Sequence, residues 1–428
     1  MSEKNSDLAN VIIRKTPPKI NENYHIKIES PKVIKLSKFC DAFWLNNVPN
    51  ETSRIDLYFN AGSVYTQPVI ASITAAMLLT GNEKLSSQNI HEKLDFYGAY
   101  FDVEVTHYHC IVHLYALKEN LVNVLTTFIE ALNNMGCLER ELKLVLDEKK
   151  QKFDINLERV GILAQRNFQK LVFDGTKLSR LTKTQDFNKI SAEKIENFYS
   201  TNFLQGLSRI HVISSINESQ FSQILSLAKP ISALRKKTFL NKFENKKIRL
   251  HLPRKNALQT AIRIGKICIN KHHPDFIGFT ILCTILGDYF GSRLMKNIRE
   301  DKGYTYGIGC MIQELKDTAV FIIATEVGVD QRELAIEEIK KEIGILQSNP
   351  VPKKELDLVK NYLLGQALKA ADGPYAQFDL FIGVNLFDLE LDYYLKYLEK
   401  LKNITSKELQ QLAIKHLNWE DLTVVTVG

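Results

Sequence analysis

The chain has 428 residues, of which 45% are hydrophobic and 25% are charged, a composition typical of a globular protein with a sizeable core. Its 56 Lys and Arg residues outnumber its 49 Asp and Glu residues, so the formal net charge is +7. That mild excess does not by itself separate an enzyme from a protein that binds nucleic acid or a membrane surface. The longest apolar stretch, 276–290, is interrupted by polar residues and is shorter than the roughly 18 residues that cross a bilayer, so we expect no membrane span.

The N-terminus and the cysteines indicate the compartment. The first ten residues are polar and include acids, a pattern that indicates neither a secretory signal nor a transit peptide. The cysteines are widely spaced and form no Cys-x-x-Cys pair, so we expect reduced thiols and a cytoplasmic protein. The six are Cys40, Cys110, Cys137, Cys268, Cys283 and Cys310.

The first half of the chain predicts an alternation of strands and helices. Polar, proline-containing residues 1–35 predict an extended N-terminal arm. After it, apolar periodicity, prolines and capping residues predict strands over 42–49 and 54–60, helices over 68–81 and 87–97, two strands within 97–117, and helices over 121–132 and 138–158.

The second half repeats this order. Its patterns predict helices over 273–290 and 291–300, strands over 302–312 and 318–327, and a helix over 332–346. Gly98 and Gly303 open corresponding strands at a separation of 205 residues, and Ile111 and Phe321 begin the next strands at a separation of 210. This nearly constant offset predicts two lobes of one α+β fold.

A basic segment separates the two predicted lobes. Residues 229–256 contain ten Lys and Arg residues, one acid and two prolines, so we predict a linker there, between lobes at 36–228 and 257–428. Outside this linker the chain is close to neutral. Its lysines are not interleaved with aromatic residues on a regular surface, so we expect no nucleic-acid partner.

Histidines are the first candidates for chemistry. His107, His109 and His113 recur with period 2 and are predicted to share one strand face, where they would either hold a metal or form an ordinary exposed face. His272 and His273 precede Pro274 and indicate a loop at a helix start. The sequence has no glycine-rich phosphate loop and no Gly-x-Ser-x-Gly elbow, so nucleotide binding and serine hydrolysis lack support.

The segment from Arg299 to Tyr306 is the most informative. A predicted helix ends at Arg299, Gly303 permits a tight turn, and a strand follows with Tyr304 and Tyr306 on one face. Arg299 and Tyr306 are therefore predicted to converge on one spot. A guanidinium and a phenol together suit a carbonyl or a developing oxyanion.

This segment also resembles a known family. SRLMKNIREDKGYTYGIG, over 292–309, resembles the C-terminal-half signature of the pitrilysin/insulinase metallopeptidases, and the two-lobe repeat, Asn60-Ala61-Gly62-Ser63 and the helix at 71–82 extend the resemblance over nearly the whole chain. The resemblance implies two homologous lobes, each a mostly antiparallel sheet with helices on one face. Together these lobes would form half of a clamshell that closes around a peptide.

The zinc motif of that family is lost in this chain. The family binds zinc through His-x-x-Glu-His on one helix and a Glu on a later helix. The resemblance places Ser72, Ala75 and Ala76 at the three motif positions, and Glu148 and Glu141 at the later acid and its acidic neighbour. These residues imply that the chain holds no metal of its own. The family's substrate strand also differs here, because residues 98–103 read Gly-Ala-Tyr-Phe-Asp-Val.

Arg299 and Tyr306, in contrast, match the family's Arg/Tyr pair at the same separation. The combination resembles the non-zinc subunit of a bacterial heterodimeric processing-peptidase-like enzyme. In that hypothesis a partner subunit carries the zinc and binds the peptide substrate as an edge strand, while Arg299 and Tyr306 act in trans; a homodimer is possible for the isolated chain. The alternatives are a non-catalytic structural or substrate-capturing homologue, and a self-sufficient metallopeptidase that uses His107 and His109.

Overall fold

The computed structural model describes residues 28–235 and 242–428, which form two sheets with helices packed against them. The first sheet has the strand order β1-β2-β6-β3-β5-β4, with β2 and β6 parallel and the other neighbours antiparallel. Its strands are β1 (Lys32–Ser37), β2 (Cys40–Leu45), β3 (Thr52–Phe59), β4 (Tyr100–Val105), β5 (Cys110–Leu117) and β6 (Leu207–Ile213).

The second sheet repeats this arrangement without a counterpart of β1. Its order is β7-β11-β8-β10-β9, and β7 and β11 form its parallel pair. Gly98 and Gly303 each have a positive φ, 61° and 65°, just before the edge strands β4 and β9, so the predicted repeat is confirmed. The strands are β7 (Arg249–Leu252), β8 (Gln259–Cys268), β9 (Thr305–Leu315), β10 (Thr318–Gly328) and β11 (Thr423–Val427).

The helices follow the predicted order. The first half contains α1 (Pro68–Ala76), α2 (Ser87–Phe96), α3 (Leu121–Asn133), α4 (Glu139–Leu157), α5 (Val160–Val172), α6 (Thr184–Phe187), α7 (Ala192–Asn202) and α8 (Glu218–Ala228). The second half contains α9 (Phe276–Leu286), a π-helical turn (Met295–Asp301), α10 (Arg332–Ser348), α11 (Lys353–Ala370), α12 (Pro374–Asn385), α13 (Asp392–Asn403) and α14 (Ser406–His416). None of the helices in the described ranges is long and apolar enough to cross a membrane.

Two predicted boundaries need correction. Residues 1–27 of the predicted arm lie outside the described residues, but Lys32–Ser37 forms strand β1, whose backbone pairs with the edge of β2. Residues 236–241 of the predicted linker also lie outside the described residues, and its later part, Arg249–Leu252, is strand β7. The second lobe therefore begins before residue 257.

Each sheet packs against helices of its own half on one face. In the first lobe, Ile55, Leu57 and Phe59 are fully buried within the main core, and the second lobe has an equivalent core that includes Phe279 and Phe321. The predicted α+β fold of two mostly antiparallel sheets with helices packed against them is confirmed.

The opposite face of each sheet is covered by a helix from the other half of the chain. Helix α5, from the first half, packs on β8 and β11 of the second sheet, and Phe168 is its fully buried anchor. Gly265 in β8 makes this approach possible, because a Cβ there would lie 2.9 Å from the Phe168 ring. Reciprocally, α12 places Phe378 and Phe381 on the first sheet. Neither exchange was predicted from the sequence.

Polar contacts surround the apolar contact of α12. Arg54 of β3 forms an ion pair with Asp56 at 3.1 Å and reaches Asp379 of α12 at 2.5 Å. His211 of β6 lies 3.3 Å from the Asn385 amide oxygen. These groups fix the position of α12 along the strands.

Removing the Phe378 side chain tests how much the packing of α12 on the first sheet stabilises the fold. Phe378 is fully buried, so we expect Phe378→Ala to lower the free energy of unfolding by about 3–5 kcal/mol through lost contacts and a residual cavity. Phe96, whose side chain is 83% exposed, is the matched control, and Phe96→Ala should change stability by no more than about 0.5 kcal/mol. Urea unfolding measures both; equal midpoints for the two variants would show that α12 does not hold the first sheet.

A second test uses His211, which is buried beneath α12, and the neighbouring His109. Burial lowers the pKa of His211, and that of neighbouring His109, from 6.5 to about 3. The unfolded chain therefore takes up protons below pH 6.5 that the folded chain does not, and stability falls as the pH drops, by up to about 1.4 kcal/mol per pH unit for each group. His113 has a raised pKa because it bonds Asp56, so it opposes this trend.

We expect His211→Gln to reduce the difference in stability between pH 7 and pH 5, since one of the two titrating groups is gone. The exposed His91 is the control, and His91→Gln should keep the difference that the unmodified chain shows. Urea unfolding at the two pH values provides the measurement. An unchanged difference in the His211 variant would mean that this imidazole is not held neutral in the fold.

Candidate functional site

The predicted helix end and turn before β9 form as a π-helical turn followed by a tight turn. Leu294 and Ile298 are fully buried on one side of this segment, as expected from their spacing. The Tyr304 N–H donates to the Ile298 carbonyl at 3.0 Å, and Gly303 takes the positive φ that the turn requires. The turn thereby fixes the chain direction between Arg299 and the edge strand.

Arg299 is half-buried because an aromatic ring supports it. Its guanidinium carbon lies 4.5 Å from the centre of the Phe290 ring, a cation–π contact. Phe290 is itself 65% exposed, so this pair stands at the protein surface. The ring restricts the guanidinium without using its hydrogen-bond donors.

Tyr306 projects from the start of edge strand β9. Its side chain is 93% exposed, whereas Tyr304 packs against the core of the second lobe. The backbone beneath it is held firmly, because the Thr305 hydroxyl bonds the Glu326 carbonyl at 2.7 Å where the register of β9 and β10 shifts. The contacts in the described part of the chain do not join Arg299 to Tyr306: one rests on Phe290 and the other extends into solvent.

The residues at the lost zinc motif lie on helix α1. Ser72 is half-buried, Ala75 is buried and Ala76 is exposed, so the helix presents no imidazole or carboxylate at these positions. On α4, Glu141 accepts hydrogen bonds from Arg140, and Glu148 pairs with Lys152 at 2.5 Å, which lowers the pKa of Glu148.

These residues do not fit a zinc ion. Zinc in proteins takes three or four His, Cys, Asp or Glu ligands, and one exposed, lysine-paired carboxylate does not supply such a set. Within residues 28–235 and 242–428 there is no group of three or more such side chains placed to hold a metal.

The predicted histidine face is wrong. Only His113 lies in a strand; His107 and His109 lie in the connection between β4 and β5, where the Thr106 hydroxyl accepts the His109 N–H at 2.9 Å. The polar turn residues end the strand earlier than the period-2 pattern suggested. His109 packs against the edge of the Tyr58 ring at 5.7 Å, and His113 bonds Asp56 at 2.7 Å.

The remaining sequence candidates have structural roles. The nitrogen Nδ1 of His273 accepts the Asp275 N–H at 3.0 Å, which caps the turn before α9, as its position before Pro274 indicated. All six cysteines are free thiols, and burial raises the pKa of Cys40 and Cys268 to about 12, so these two are poor nucleophiles. The cluster of Arg54, Asp56 and His211 was not singled out from the sequence, because His211 is far along the chain from Arg54 and Asp56.

Comparisons with known proteins agree with this fold. Two family models match the chain: "Insulinase (Peptidase family M16)" over residues 43–186 and "Peptidase M16 inactive domain" over residues 189–363. A curated relative, described as an uncharacterized zinc protease, YmxG of Bacillus subtilis (strain 168), is 22% identical over 334 residues, which are 76% of this chain and 80% of that protein.

Solved structures share the whole architecture. A peptidase M16 inactive domain from Pseudomonas fluorescens superposes with a TM-score of 0.83 at 19% identity and covers 93% of this chain and 98% of its own. A protease from Helicobacter pylori has a TM-score of 0.82 at 14% identity, covering 93% of this chain and 100% of its own. The two family models lie side by side over both lobes, and this chain belongs to the insulinase/pitrilysin-like M16 family.

Proposed function

We propose that this chain is the non-zinc subunit of a two-chain peptidase, to which it supplies Arg299 and Tyr306. The observation that carries the proposal is the exposure of Tyr306, 93%, on a firmly held edge strand in a chain whose α1 positions provide no metal ligands. Tyrosine is enriched at protein interfaces, where its ring packs on apolar surface and its hydroxyl finds a hydrogen-bond partner. The zinc motif would belong to another M16 chain.

The chemistry available to this chain is hydrogen-bond donation. The Tyr306 hydroxyl has one O–H donor, and the planar Arg299 guanidinium, which lies over the Phe290 ring, has five N–H donors. Donors fixed before the reaction stabilise a negative charge that develops on a peptide carbonyl oxygen. Both groups would act in trans on a peptide that lies as an added strand in the partner's N-terminal lobe.

The proposal includes an assembly and a compartment. The working form is a heterodimer of this chain with a zinc-motif subunit in the bacterial cytoplasm. When the chain is isolated, the same surface pairs two copies as a homodimer. Six free cysteines support a reducing compartment.

A non-catalytic homologue that captures substrate or supports a complex is the second candidate. The edge strand β4 favours it, because this strand carries Tyr100 and Asp102 in a segment that departs from the substrate-strand pattern of the family. In that case the partner alone would cleave a quenched peptide, and this chain would add no activity. Hydrolysis only by the mixed chains supports the first proposal.

Replacing Tyr306 with Phe removes only the hydroxyl. We expect Tyr306→Phe to lower the turnover of the mixed complex by about 10²–10³-fold, the usual effect of losing one oxyanion donor, without dissociating it. Tyr100 is the matched control, since it is 62% exposed on β4, the corresponding edge strand of the first sheet. Peptide hydrolysis and gel filtration are measured together. If Tyr306→Phe and Tyr100→Phe complexes turn over equally fast, Tyr306 does not act in catalysis.

Metal analysis tests the self-sufficient alternative. Because the described parts of α1 and α4 offer no set of zinc ligands, we expect the purified chain to contain far less than one zinc ion per molecule. Inductively coupled plasma mass spectrometry measures the zinc content. His109→Ala should not change the value. One zinc per chain that disappears in this variant would instead support a metal site at the β4–β5 connection.

A further inference from the structure

A cavity lies within the helical layer of the second lobe, and none of its lining residues belongs to the candidate site described above. Its volume is about 270 Å³. This is just below the roughly 300–1,000 Å³ of pockets that take drug-sized ligands, so it suits a smaller molecule. We call it the α11 cavity. Most of its wall is apolar and comes from four helices: Phe276, Leu363, Ala367, Leu380, Leu395 and Leu398.

The cavity exists because α11 presents small side chains where α9 and α13 pack against it. Four lining residues of α11 recur at i, i+3, i+4 and i+7 and therefore share one face of the helix: Leu363, Gln366, Ala367 and Ala370. Packed helices keep their axes roughly 8–10 Å apart, a space that large side chains normally fill. The methyl groups of Ala367 and Ala370 leave part of it empty.

Helix α13 supplies a second wall that is rich in aromatic rings. Tyr393 and Tyr397 lie one helical turn apart on this wall, next to Tyr394. The Tyr394 hydroxyl donates to the Leu380 carbonyl of α12 at 3.0 Å, which ties α13 to α12 and holds the wall in place. Aromatic rings stack or pack edge to face, so this wall favours a ligand that itself contains an aromatic ring.

One ion pair supplies the charged groups of the cavity. Nζ of Lys271, which follows β8, lies 2.7 Å from Oε2 of Glu314, near the end of β9. The same ammonium donates to the Gly383 carbonyl at 3.4 Å and lies 4.7 Å from the centre of the Phe387 ring. The ammonium is therefore already surrounded by partners from the chain, and the two charges of the cavity balance.

Glu314 retains the capacity to accept hydrogen bonds. Its Oε2 is close enough to Lys271 for charge pairing, but neither Glu314 oxygen accepts a hydrogen bond of regular geometry from the described residues. The Tyr393 hydroxyl also forms no hydrogen bond within the described part of the chain. Burial, together with the charge of Glu314, raises the pKa of Tyr393, so this phenol is neutral at physiological pH.

These groups select a neutral ligand that has a hydrogen-bond donor. A charged ligand would have to leave water for an apolar cavity whose own charges already balance, and that transfer is costly. A neutral N–H or O–H group avoids this cost and can donate to the carboxylate of Glu314, which makes a charge-assisted hydrogen bond.

We propose that the α11 cavity binds a small neutral aromatic molecule that carries one N–H or O–H donor, with the donor on Glu314 and the ring between α11 and α13. The site lies wholly within this chain. It is independent of the proposed peptidase role and needs no zinc-bearing partner.

Two isomeric probes of equal size test the inference on the full chain. 3-Methylindole keeps the indole N–H, whereas 1-methylindole has a methyl group in its place. We expect isothermal titration calorimetry to give a Kd of about 0.1 mM for 3-methylindole, a usual value for so small a ligand. 1-Methylindole should bind about tenfold more weakly, because it cannot donate to a charged acceptor. Tryptamine, a cation at neutral pH, should also bind more weakly than 3-methylindole.

Two variants locate the binding in the cavity. Ala367→Phe fills the cavity without changing its charges and should abolish binding of both isomers. The exposed Ala76 of α1 is the matched control, and Ala76→Phe should leave the Kd of 3-methylindole unchanged. The double variant Lys271→Met, Glu314→Leu removes the acceptor together with its cation, a replacement that folds usually tolerate, and it should bind the two isomers equally. Circular dichroism establishes that each variant is folded.

Four results would overturn the inference: no saturable binding of 3-methylindole, equal binding of the two isomers by the unmodified chain, tighter binding of tryptamine, or unchanged binding by Ala367→Phe. The comparison of the isomers needs no variant, so it decides the question even where a substitution prevents folding. Peptide hydrolysis by the mixed chains bears only on the peptidase proposal, and either proposal can fail while the other stands.

Discussion

The fold depends on the burial of one helix from each half against the sheet of the other half. Phe168 of α5 and Phe378 of α12 are fully buried in these contacts. Apolar area removed from water stabilises a protein by roughly 25 cal/mol per Å², so two aromatic anchors and their neighbours make the exchange a large part of the interaction between lobes. Each sheet needs a helix from the other half to cover its second face, and the two lobes therefore form one packed body.

Polar groups at the edge of this contact give it a defined position. Arg54 and Asp56 are nearly withdrawn from solvent, and a buried charge is tolerated when it is paired, as Arg54 is with Asp379 of α12. The apolar residues of α12 supply attraction without direction, whereas the ion pair and the His211–Asn385 contact select one register of α12 along the strands. A fixed register of α12 holds the β4–β5 hairpin of the first sheet and the β9–β10 hairpin of the second sheet in a constant relative position.

The surface near Tyr306 follows from the same exchange. Along most of α5 the face is an apolar core; at the first turns of α5, Arg263 and Glu326 of the same face are partly exposed. Gly161, near the start of α5, decides how closely the helix approaches the Glu326 carboxylate. One helix thus both joins the lobes and borders the open surface near Tyr306. The lost zinc motif on α1 lies in the other lobe, in which the described residues offer no substitute for it.

The sequence by itself determined the order of the elements, the two-lobe repeat and the residue types at the family's motif positions. These features are local: apolar periodicity selects helix or strand, and Gly98 and Gly303 mark the same turn in each half. Only the tertiary structure decided which helix covers which sheet, that His107 and His109 leave the strand, and that Arg263 and Glu326 lie near Tyr306. Periodicity shows that a face is apolar but not which partner buries it, because burial and pairing depend on residues far apart in the chain.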